Sequence, residues 1–224
     1  MRRSDGVFGP YSAFFRGEGC LYSPRSECGD LNIHGLQAEV SVVAWVKRSL
    51  PDNGYDNCQA VAGIWNEHGL RQYCLFLNLR IHNSAEQVCG HISGFGGPTT
   101  GYKYCMDAAI GQSIVPLNSW QCIGMTYDGQ EIRVYLNGKL DKRERFNPYP
   151  YVSGIFDGGP AGADFTVGAV ERPAYVDDNF QEHGAVLANN FYGYVGGLAV
   201  YVRALPAQDM QFLASLKNLD RIAA

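Results

Sequence analysis

Side chains suited to acid–base or sugar chemistry concentrate in one stretch of the chain. Asn78 and Arg80 occupy alternate positions at the end of a segment with period-two hydrophobicity, and His82 follows in phase. His91 lies in the next segment that reads as a strand. Because alternate side chains of a strand share one face, two adjacent antiparallel strands would bring Asn78 or Arg80 close to His91. The spacing predicts a polar sheet face that meets water or a ligand.

Two chemistries suit these residues, together with Tyr102 and Tyr104 beside the following Gly-rich loop. A carbohydrate-binding site places aromatic faces beside a few polar groups that bond hydroxyls. A polysaccharide lyase instead removes the proton next to a uronate carboxylate with a Tyr or His, while another polar side chain neutralises that carboxylate. In this alternative, His91 with Tyr102 or Tyr104 supplies the base or acid, and Arg80 neutralises the carboxylate.

The acidic residues disfavour a glycoside hydrolase. Such an enzyme needs two carboxyl groups that face one another across the scissile bond, and no predicted strand alternates acidic residues in that way. Motifs similar to those of alginate lyases are also missing, since Arg25-Ser26-Glu27 resembles only the start of one. We therefore expect binding rather than catalysis, with a lyase as the alternative enzyme.

Sugar recognition would use aromatic and polar residues of the loops and of this sheet face. The candidates are Trp65, Asn66, Asn78, Arg80, His82, His91, Tyr102, Tyr104, Tyr149 and Tyr151. A calcium ion (Ca2+) needs several hard oxygen ligands, which loops can supply. The candidate calcium ligands are Asp157, Asp164 and Asp178, although aspartates of ordinary surface turns give the same pattern.

Strand and turn signals dominate the rest of the chain. Residues 39–47 and 72–80 read as strands, the second with an apolar face opposite its polar one. That apolar face consists of Tyr73, Leu75, Leu77 and Leu79. Three strands between residues 120 and 141 are joined by Asp128-Gly129 and Asn137-Gly138, whose type I′ turns would give an antiparallel meander.

Shorter signals complete the set of elements. Residues 88–93, 164–170 and 191–202 predict further strands, and a helix is expected from Pro206 through Leu216. Long connections remain, and loops of this length in an all-β domain usually carry function or cover a sheet. They are residues 50–58, 93–103, 145–163 and 171–190.

Length and composition fit one globular domain, 1–224. The 224 residues are 46% hydrophobic and 18% charged, which excludes disorder. A net charge of −4 gives no basic footprint, so we expect no nucleic-acid partner. No apolar run is long enough for membrane insertion, and the two arginines near the start lack the apolar segment of a secretory signal.

The seven cysteines match no zinc-binding template and include no Cys-x-x-Cys motif. Their odd number excludes full pairing within one chain. Two interpretations stay open. In the first, Cys20–Cys28 and Cys89–Cys105 are disulfides that close Gly-rich loops, and Cys122 is free in a strand. In the second, all seven are reduced, small buried side chains.

Several segments in order resemble laminin-G-like domains. These are AFFRGEG at 13–19, VSVVAWV at 40–46, AVAGIWN at 60–66, the meander at 120–141, FTVGA at 165–169 and FYGYVGGLAVY at 191–201. The resemblance covers residues 12–214 and implies an all-β, concanavalin A-like jelly-roll sandwich of two antiparallel sheets with little helix. It also implies that Trp45 and Trp120 pack between the sheets.

The same resemblance bears on function. It implies binding of glycans or proteins, often with calcium at the rim of the sandwich, and some relatives with this fold cleave glycans. Together with the cysteine count, it favours an extracellular or periplasmic location. Our first hypothesis is a lectin-like domain that binds a polysaccharide, acidic or from plants, algae or bacteria. The alternatives are a uronate-specific lyase and a protein–protein adhesion module.

Overall fold

A computed structural model describes residues 2–51, 58–172, 174–176 and 179–219. Its strands in chain order are β1 (Arg2–Ser4), β2 (Tyr11–Arg16), β3 (Leu21–Ser23), β4 (Val40–Arg48), β5 (Gln59–Ile64), β6 (Tyr73–Leu77), β7 (Val88–Ile92), β8 (Ala108–Ile110), β9 (Gln121–Tyr127), β10 (Glu131–Leu136), β11 (Lys139–Leu140), β12 (Tyr149–Pro150), β13 (Phe165–Val167), β14 (Val170–Arg172), β15 (Tyr175–Val176), β16 (Glu182–His183), β17 (Val186–Ala188) and β18 (Tyr192–Tyr201). One α-helix, α1 (Ala207–Leu219), and short 3-10 turns at Arg25–Glu27, Gly29–Leu31 and Gly159–Ala161 complete the described elements.

Two large antiparallel sheets form the body of the protein. The first sheet has the order β1-β2-β18-β4-β9-β10-β11, with β12 also pairing with β10. The second sheet has the order β3-β13-β5-β6-β7-β8. Each sheet combines consecutive strands with neighbours that are distant in sequence, as β18 between β2 and β4 shows. The predicted all-β sandwich of two antiparallel sheets is therefore confirmed.

The main core lies between the two sheets. In β4, the side chains of Val40, Val42, Ala44 and Val46 enter this core, together with Tyr73, Leu75 and Leu77 of β6. The alternate residues of β4 point the other way, because successive side chains of a strand face opposite sides. The chain thus buries β4 on both faces, which explains why its sequence is almost continuously apolar.

Trp45 and Trp120 do not pack between the sheets, so that prediction is wrong. Trp45 lies on the outward face of the first sheet in a separate cluster with Leu205 and with Met210 of α1. Trp120 is half-buried, and its indole N–H donates a hydrogen bond to an Asp5 carboxylate oxygen 3.2 Å away. Parity decides the position of Trp45, since it is an odd-numbered residue in a strand whose even-numbered residues face the core.

The meander of β9, β10 and β11 is confirmed, with one correction to its turns. Asn137 and Gly138 have φ of 50° and 76° and form a two-residue turn, as predicted for type I′. The first connection spans four residues, because Tyr127 pairs with Ile132. Its Asp128 side chain accepts hydrogen bonds from the two backbone N–H groups that follow Gly129, at 3.0 and 2.9 Å.

The structure contains some of the other predicted elements and corrects one predicted connection. The strands near 88–93, 164–170 and 191–202 and the helix after Pro206 are confirmed. The range 171–190, predicted as a connection, contains two short hairpins, in which β14 pairs with β17 and β15 with β16. Most of the predicted loop at 50–58 lies outside the described residues. Within the described part of the chain, no helix has the length and apolar character needed to cross a membrane.

All seven cysteines lie among the described residues, and all are free. The predicted disulfides Cys20–Cys28 and Cys89–Cys105 are therefore wrong, and the alternative of seven reduced thiols is confirmed. Five of the seven are buried, as expected for small apolar side chains. Burial raises the pKa of Cys89 and Cys122 to about 12, which keeps both thiols protonated and unreactive in the folded state.

Unfolding the protein without reductant should therefore expose seven thiols to a thiol reagent. In the folded protein, Cys89 and Cys122 should react much more slowly, because attack needs an accessible thiolate. Counting modified cysteines by mass spectrometry, with a reduced sample as the reference, checks both statements. A lower count in the unfolded protein that reduction restores to seven would reveal a disulfide.

Candidate functional site

An open cleft of about 610 Å³ lies on the outward face of the second sheet. The face is built by β5, β6 and β7, whose alternate side chains leave the main core and form a second apolar cluster. Cys74 and Phe76 belong to this outward face, as the period-two pattern predicts. The cleft is lined by Cys58, Trp65, Glu67, Arg71, Phe76, Leu79, Arg80, Ile81, His82, His91, Tyr104, Cys105, Met106, Arg172 and Asn189.

The floor of the cleft is aromatic. Trp65, Phe76 and His91 are almost completely buried, and their ring centroids lie 4.8 to 5.7 Å apart. His91 reaches this floor because it pairs with Cys74 across β6 and β7, which places it on the same face as Phe76. Edge-on and tilted ring contacts of this kind stabilise the packing of the floor.

His91 is held in its neutral form. Its Nδ1 atom lies 3.0 Å from the carbonyl oxygen of Asp107, and this contact requires the proton to sit on Nδ1 and leaves Nε2 as an acceptor. Burial lowers the pKa of His91 to about 3, and it outweighs the opposite effect of the hydrogen bond. At neutral pH the side chain therefore contributes a polar but uncharged group to the cleft.

A buried ion pair lies beside the aromatic floor. Arg71 donates hydrogen bonds to the backbone oxygen of Glu67 at 2.5 Å and to its carboxylate at 3.1 Å. Asn189 donates a third hydrogen bond to the other carboxylate oxygen of Glu67, at 2.7 Å. The guanidinium carbon of Arg71 is 5.8 Å from the centroid of a Trp65 ring. This network fixes both the acidic side chain and the indole.

Sequence reasoning did not predict this network, although one local signal was present. Glu67 and Arg71 are four residues apart, a spacing that brings opposite charges together in a helix. The segment is a turn between two strands here, so the spacing alone predicted nothing. Asn189 is 122 residues away from Glu67, and only the folded chain brings it to the cleft.

One wall of the cleft comes from the connection between β6 and β7, which has an unusual backbone. Four of its residues have positive φ, namely Asn78 (57°), Arg80 (59°), His82 (51°) and Asn83 (56°). Left-handed backbone is uncommon outside glycine, and such residues cluster at functional sites. The bend ends the strand at Leu77 and places Arg80 and His82 on the rim.

A second part of the lining comes from the loop before β8, which contacts the first where His82 Nε2 lies 3.3 Å from the carbonyl oxygen of Met106. Thr99 donates a hydrogen bond from its hydroxyl to Asp107 at 2.6 Å and accepts one from the backbone N–H of Met106 at 2.8 Å. Tyr149 donates its hydroxyl hydrogen to the other carboxylate oxygen of Asp107, at 3.2 Å. Burial and this neighbouring carboxylate raise the pKa of Tyr149 to about 12. The bonds around Asp107 hold Tyr104, whose side chain is exposed, at the edge of the cleft.

Half of the predicted sugar contacts converge on this cleft. The residues that line it are Trp65, Arg80, His82, His91 and Tyr104. The cleft therefore unites the polar face predicted from residues 78–91 with an aromatic residue from each of two separate loops.

The other predicted contacts lie away from the cleft. Asn66 is buried, and its side-chain oxygen accepts a hydrogen bond from the His68 backbone. Asn78 is fully buried, because the strand ends just before it and the bend turns it inward. Tyr151 belongs to the main core, and Tyr149 braces Asp107 instead of facing the cleft. Tyr102 is exposed but does not line the cleft.

Two of the candidate calcium ligands contact an arginine. Asp164 accepts a hydrogen bond from the backbone N–H of Arg25 at 2.7 Å, and Asp157 lies 3.6 Å from the Arg25 guanidinium. Asp178 lies outside the described residues. Among the residues with described positions, no three His, Cys, Asp or Glu side chains form a group that could hold a metal ion. The calcium site stays a prediction.

Together, the sheets and their strand order define a concanavalin A-like jelly-roll sandwich. No family model and no curated protein matches the chain. Among solved structures, the chain is similar to domain 4 of an extracellular arabinanase from Geobacillus stearothermophilus in complex with arabinotriose. The TM-score is 0.54 at 16% identity, over 96% of this chain and 87% of that chain.

Two further structures support the same fold. The CBM40 domain of a Ruminococcus gnavus IT-sialidase gives a TM-score of 0.53 at 13% identity, over 96% of this chain and 95% of that one. A heptameric SAP-like pentraxin from Limulus polyphemus gives 0.50 at 12% identity, over 82% and 72%. Identities this low establish the architecture, and the function has to be argued from the cleft.

Proposed function

We propose that the protein binds carbohydrate in the cleft on the outward face of its second sheet. The observation that carries this proposal is the lining, in which an aromatic floor is flanked by exposed Tyr104 and by several polar side chains. Sugar rings present apolar faces and a rim of hydroxyl groups. Sites for such ligands combine aromatic surface with a few oriented donors and acceptors. Glu67, Asn189 and neutral His91 supply acceptors, and the arginines supply donors.

The structural neighbours add support from a separate direction. The arabinanase domain was solved with arabinotriose, and the second neighbour is a CBM40 domain of a sialidase. Sharing a fold with such proteins makes a sugar-binding sheet face a natural use of this sandwich, although fold by itself does not give function. Membership of the laminin-G-like family, suggested by the sequence motifs, is part of the same proposal.

Tyr104→Ala should weaken the binding of the protein to the glycans that retain it on a glycan array. We expect a loss of about tenfold, which corresponds to about 1.4 kcal/mol of binding free energy, because an exposed aromatic wall of the site is removed. Tyr102→Ala is the matched control. Tyr102 is equally exposed, at 57% against 54% for Tyr104, and belongs to the same loop, but it does not line the cleft.

Titration calorimetry on the array hits gives the affinities of wild type and both variants. An equal loss in both tyrosine variants would move the binding site away from the cleft. If no glycan on a broad array retained the wild-type protein, the proposal of carbohydrate binding itself would be overturned.

A second candidate function is a polysaccharide lyase acting on uronates. It is favoured by one observation, which is that Arg80, His91 and Tyr104 all line the same cleft. Its weak point is the base, because a buried imidazole with a pKa of about 3 accepts a proton poorly at neutral pH. Tyr104 would have to take that role, and we rank binding first for this reason.

Ultraviolet absorbance separates the two candidates. Elimination creates a carbon–carbon double bond conjugated with the carboxylate, so a lyase would raise the absorbance of a uronate polysaccharide solution with time. Arg80→Gln and Tyr104→Phe should then abolish that rise. A flat trace over a panel of uronate polysaccharides would exclude the lyase and leave the binding proposal intact.

A further inference from the structure

A second cavity, of about 400 Å³, lies beside the β14–β17 hairpin. This hairpin cavity is lined by Glu171, Arg172, Ala185, Val186 and Leu187. Arg172 also lines the cleft on the outward face of the second sheet, so the two cavities meet at this side chain. The proposed carbohydrate site uses the cleft alone and leaves the hairpin cavity without a role.

The hairpin continues the surface of the cleft. Val170 of β14 pairs with Ala188 of β17, and both are buried in the apolar cluster of the outward face. Because alternate residues of a strand share a face, the next pair on this face is Arg172 with Val186. The Val186 side chain is 53% exposed. An exposed apolar side chain therefore lies directly across from Arg172, where the two cavities meet.

Hydrogen bonds hold the hairpin against the cleft. The backbone N–H of Glu67, a residue of the cleft, donates to the carbonyl oxygen of Glu171 in β14 at 2.9 Å. Asn189, which follows β17, donates to the carboxylate of Glu67 at 2.7 Å. Both strands of the hairpin are thus bonded to the same residue of the cleft. A ligand that lies in the cleft meets the hairpin cavity at a position that the fold determines.

We propose that the hairpin cavity is a second sugar subsite, so that successive units of one saccharide chain occupy the cleft and then this cavity. This inference rests on the proposed carbohydrate binding and adds the class of ligand, which is an extended chain instead of a single sugar. The lining suits a sugar unit, since it combines apolar surface with a few polar groups. Val186 and the aliphatic stem of Arg172 supply the apolar surface, and the half-buried carboxylate of Glu171 accepts hydrogen bonds from hydroxyl groups.

Chain length is the variable that tests this inference. The probes are linear oligosaccharides of arabinan, polygalacturonate and alginate, from disaccharide to octasaccharide, printed on one array. We expect the affinity of the wild-type protein to rise about tenfold along at least one series, because longer chains bury additional surface in the hairpin cavity. The affinity should then stay constant, since a chain that fills both cavities gains no further contact.

Substitutions of Val186 separate the second subsite from the cleft. Val186→Ser should weaken the binding of the longest chains about fivefold, because apolar contact is lost, and should leave the shortest chains unaffected. Val186→Thr keeps the branched shape that suits a strand, and it should give a smaller loss in the same direction. Tyr104→Ala, in the cleft, should instead weaken the binding of every chain length. Val152→Ser is the matched control, because Val152 is 62% exposed and lines neither cavity.

The possible results separate this inference from the proposal on which it rests. Equal affinity at every chain length would overturn the second subsite and leave binding in the cleft in place. A rise with length that Val186→Ser and Val186→Thr both retain would do the same, because long chains would then bind more tightly only by offering the cleft more units. A loss at every length in both variants would place the effect of Val186 in the cleft and would also overturn the subsite. Binding of no oligosaccharide would overturn both proposals.

Discussion

Replacing Arg71 with alanine is expected to lower the free energy of unfolding by about 3–5 kcal/mol. Arg71 is 3% exposed and donates hydrogen bonds to the backbone and carboxylate of Glu67. Its removal would leave a largely buried carboxylate without the cation 3.1 Å away, and an uncompensated buried charge is costly. The contact between the guanidinium and Trp65 would be lost as well. Urea unfolding of wild type and variant at neutral pH measures the difference.

Two further variants show whether burial of the charge pair is the cause. Arg71→Met combined with Glu67→Met removes both charges, and it should cost less than Arg71→Ala alone. Arg133→Ala breaks two ion pairs at a more exposed position, one to Asp128 at 2.7 Å and one to Glu131 at 2.5 Å. That change should cost about 1 kcal/mol or less. Equal losses for Arg71→Ala and Arg133→Ala would contradict the argument.

This network also shows where prediction from sequence stops. The alternation of Tyr73, Leu75 and Leu77 against Cys74 and Phe76 was readable, because a strand assigns faces by parity alone. The meander was predictable because an Asx-Gly pair marks a turn between strands, although only Asn137-Gly138 forms the predicted two-residue turn. The ion pair between Glu67 and Arg71 could not be predicted from the sequence, because it depends on a turn that brings Arg71 next to Glu67. It also depends on Asn189, which is more than a hundred residues away.

The tyrosines illustrate the same limit within the candidate site. Tyr102 and Tyr104 are two residues apart in one loop, and the sequence predicts both of them as ligand contacts without distinguishing between them. Hydrogen bonds from Thr99 and Tyr149 to Asp107 set the course of that loop, and only Tyr104 reaches the cleft. Bonds between residues that are distant in the sequence determine where a loop side chain lies. The residue types in a loop can therefore indicate that a binding site is present, but they do not indicate which of the side chains line it.

The end of β6 was the least predictable feature that matters for the cleft. A continuous strand over residues 72–80 would place Asn78 and Arg80 side by side on one face. Instead the strand ends at Leu77, Asn78 is buried, and Arg80 is exposed at the rim. Left-handed residues, among them Arg80, make this bend, and such backbone is rarely anticipated for arginine because it is disfavoured for most side chains with a Cβ.

His91 should make the protein strongly sensitive to acid. Its pKa is about 3 in the folded state, against 6.5 in an unfolded chain, and burial is the main cause. Above pH 6.5 neither state carries the proton, so the stability is fully present there. As the pH falls from 6.5 towards 3, His91 gains a proton in the unfolded chain but stays neutral in the folded protein. Stability then falls by about 1.4 kcal/mol per pH unit.

The His91→Gln variant isolates this contribution. Glutamine does not titrate, so the loss of unfolding free energy between pH 7 and pH 4 should be about 3 kcal/mol smaller in the variant than in wild type. The variant will start from a lower stability at pH 7, because the packing of the imidazole against Trp65 and Phe76 is lost. The comparison therefore uses the change with pH within each protein, taken from urea unfolding at both pH values.

The control for this experiment is His34→Gln, which removes a histidine whose side chain is 39% exposed and lies 3.6 Å from Asp157. The pH dependence of wild type should persist in that variant, since it leaves the buried His91 in place. If His91→Gln lost as much stability between pH 7 and pH 4 as wild type does, the imidazole would already accept a proton in the folded cleft. The floor of the cleft would then be wetter than its burial indicates, and His91 would regain the basicity that the lyase alternative requires.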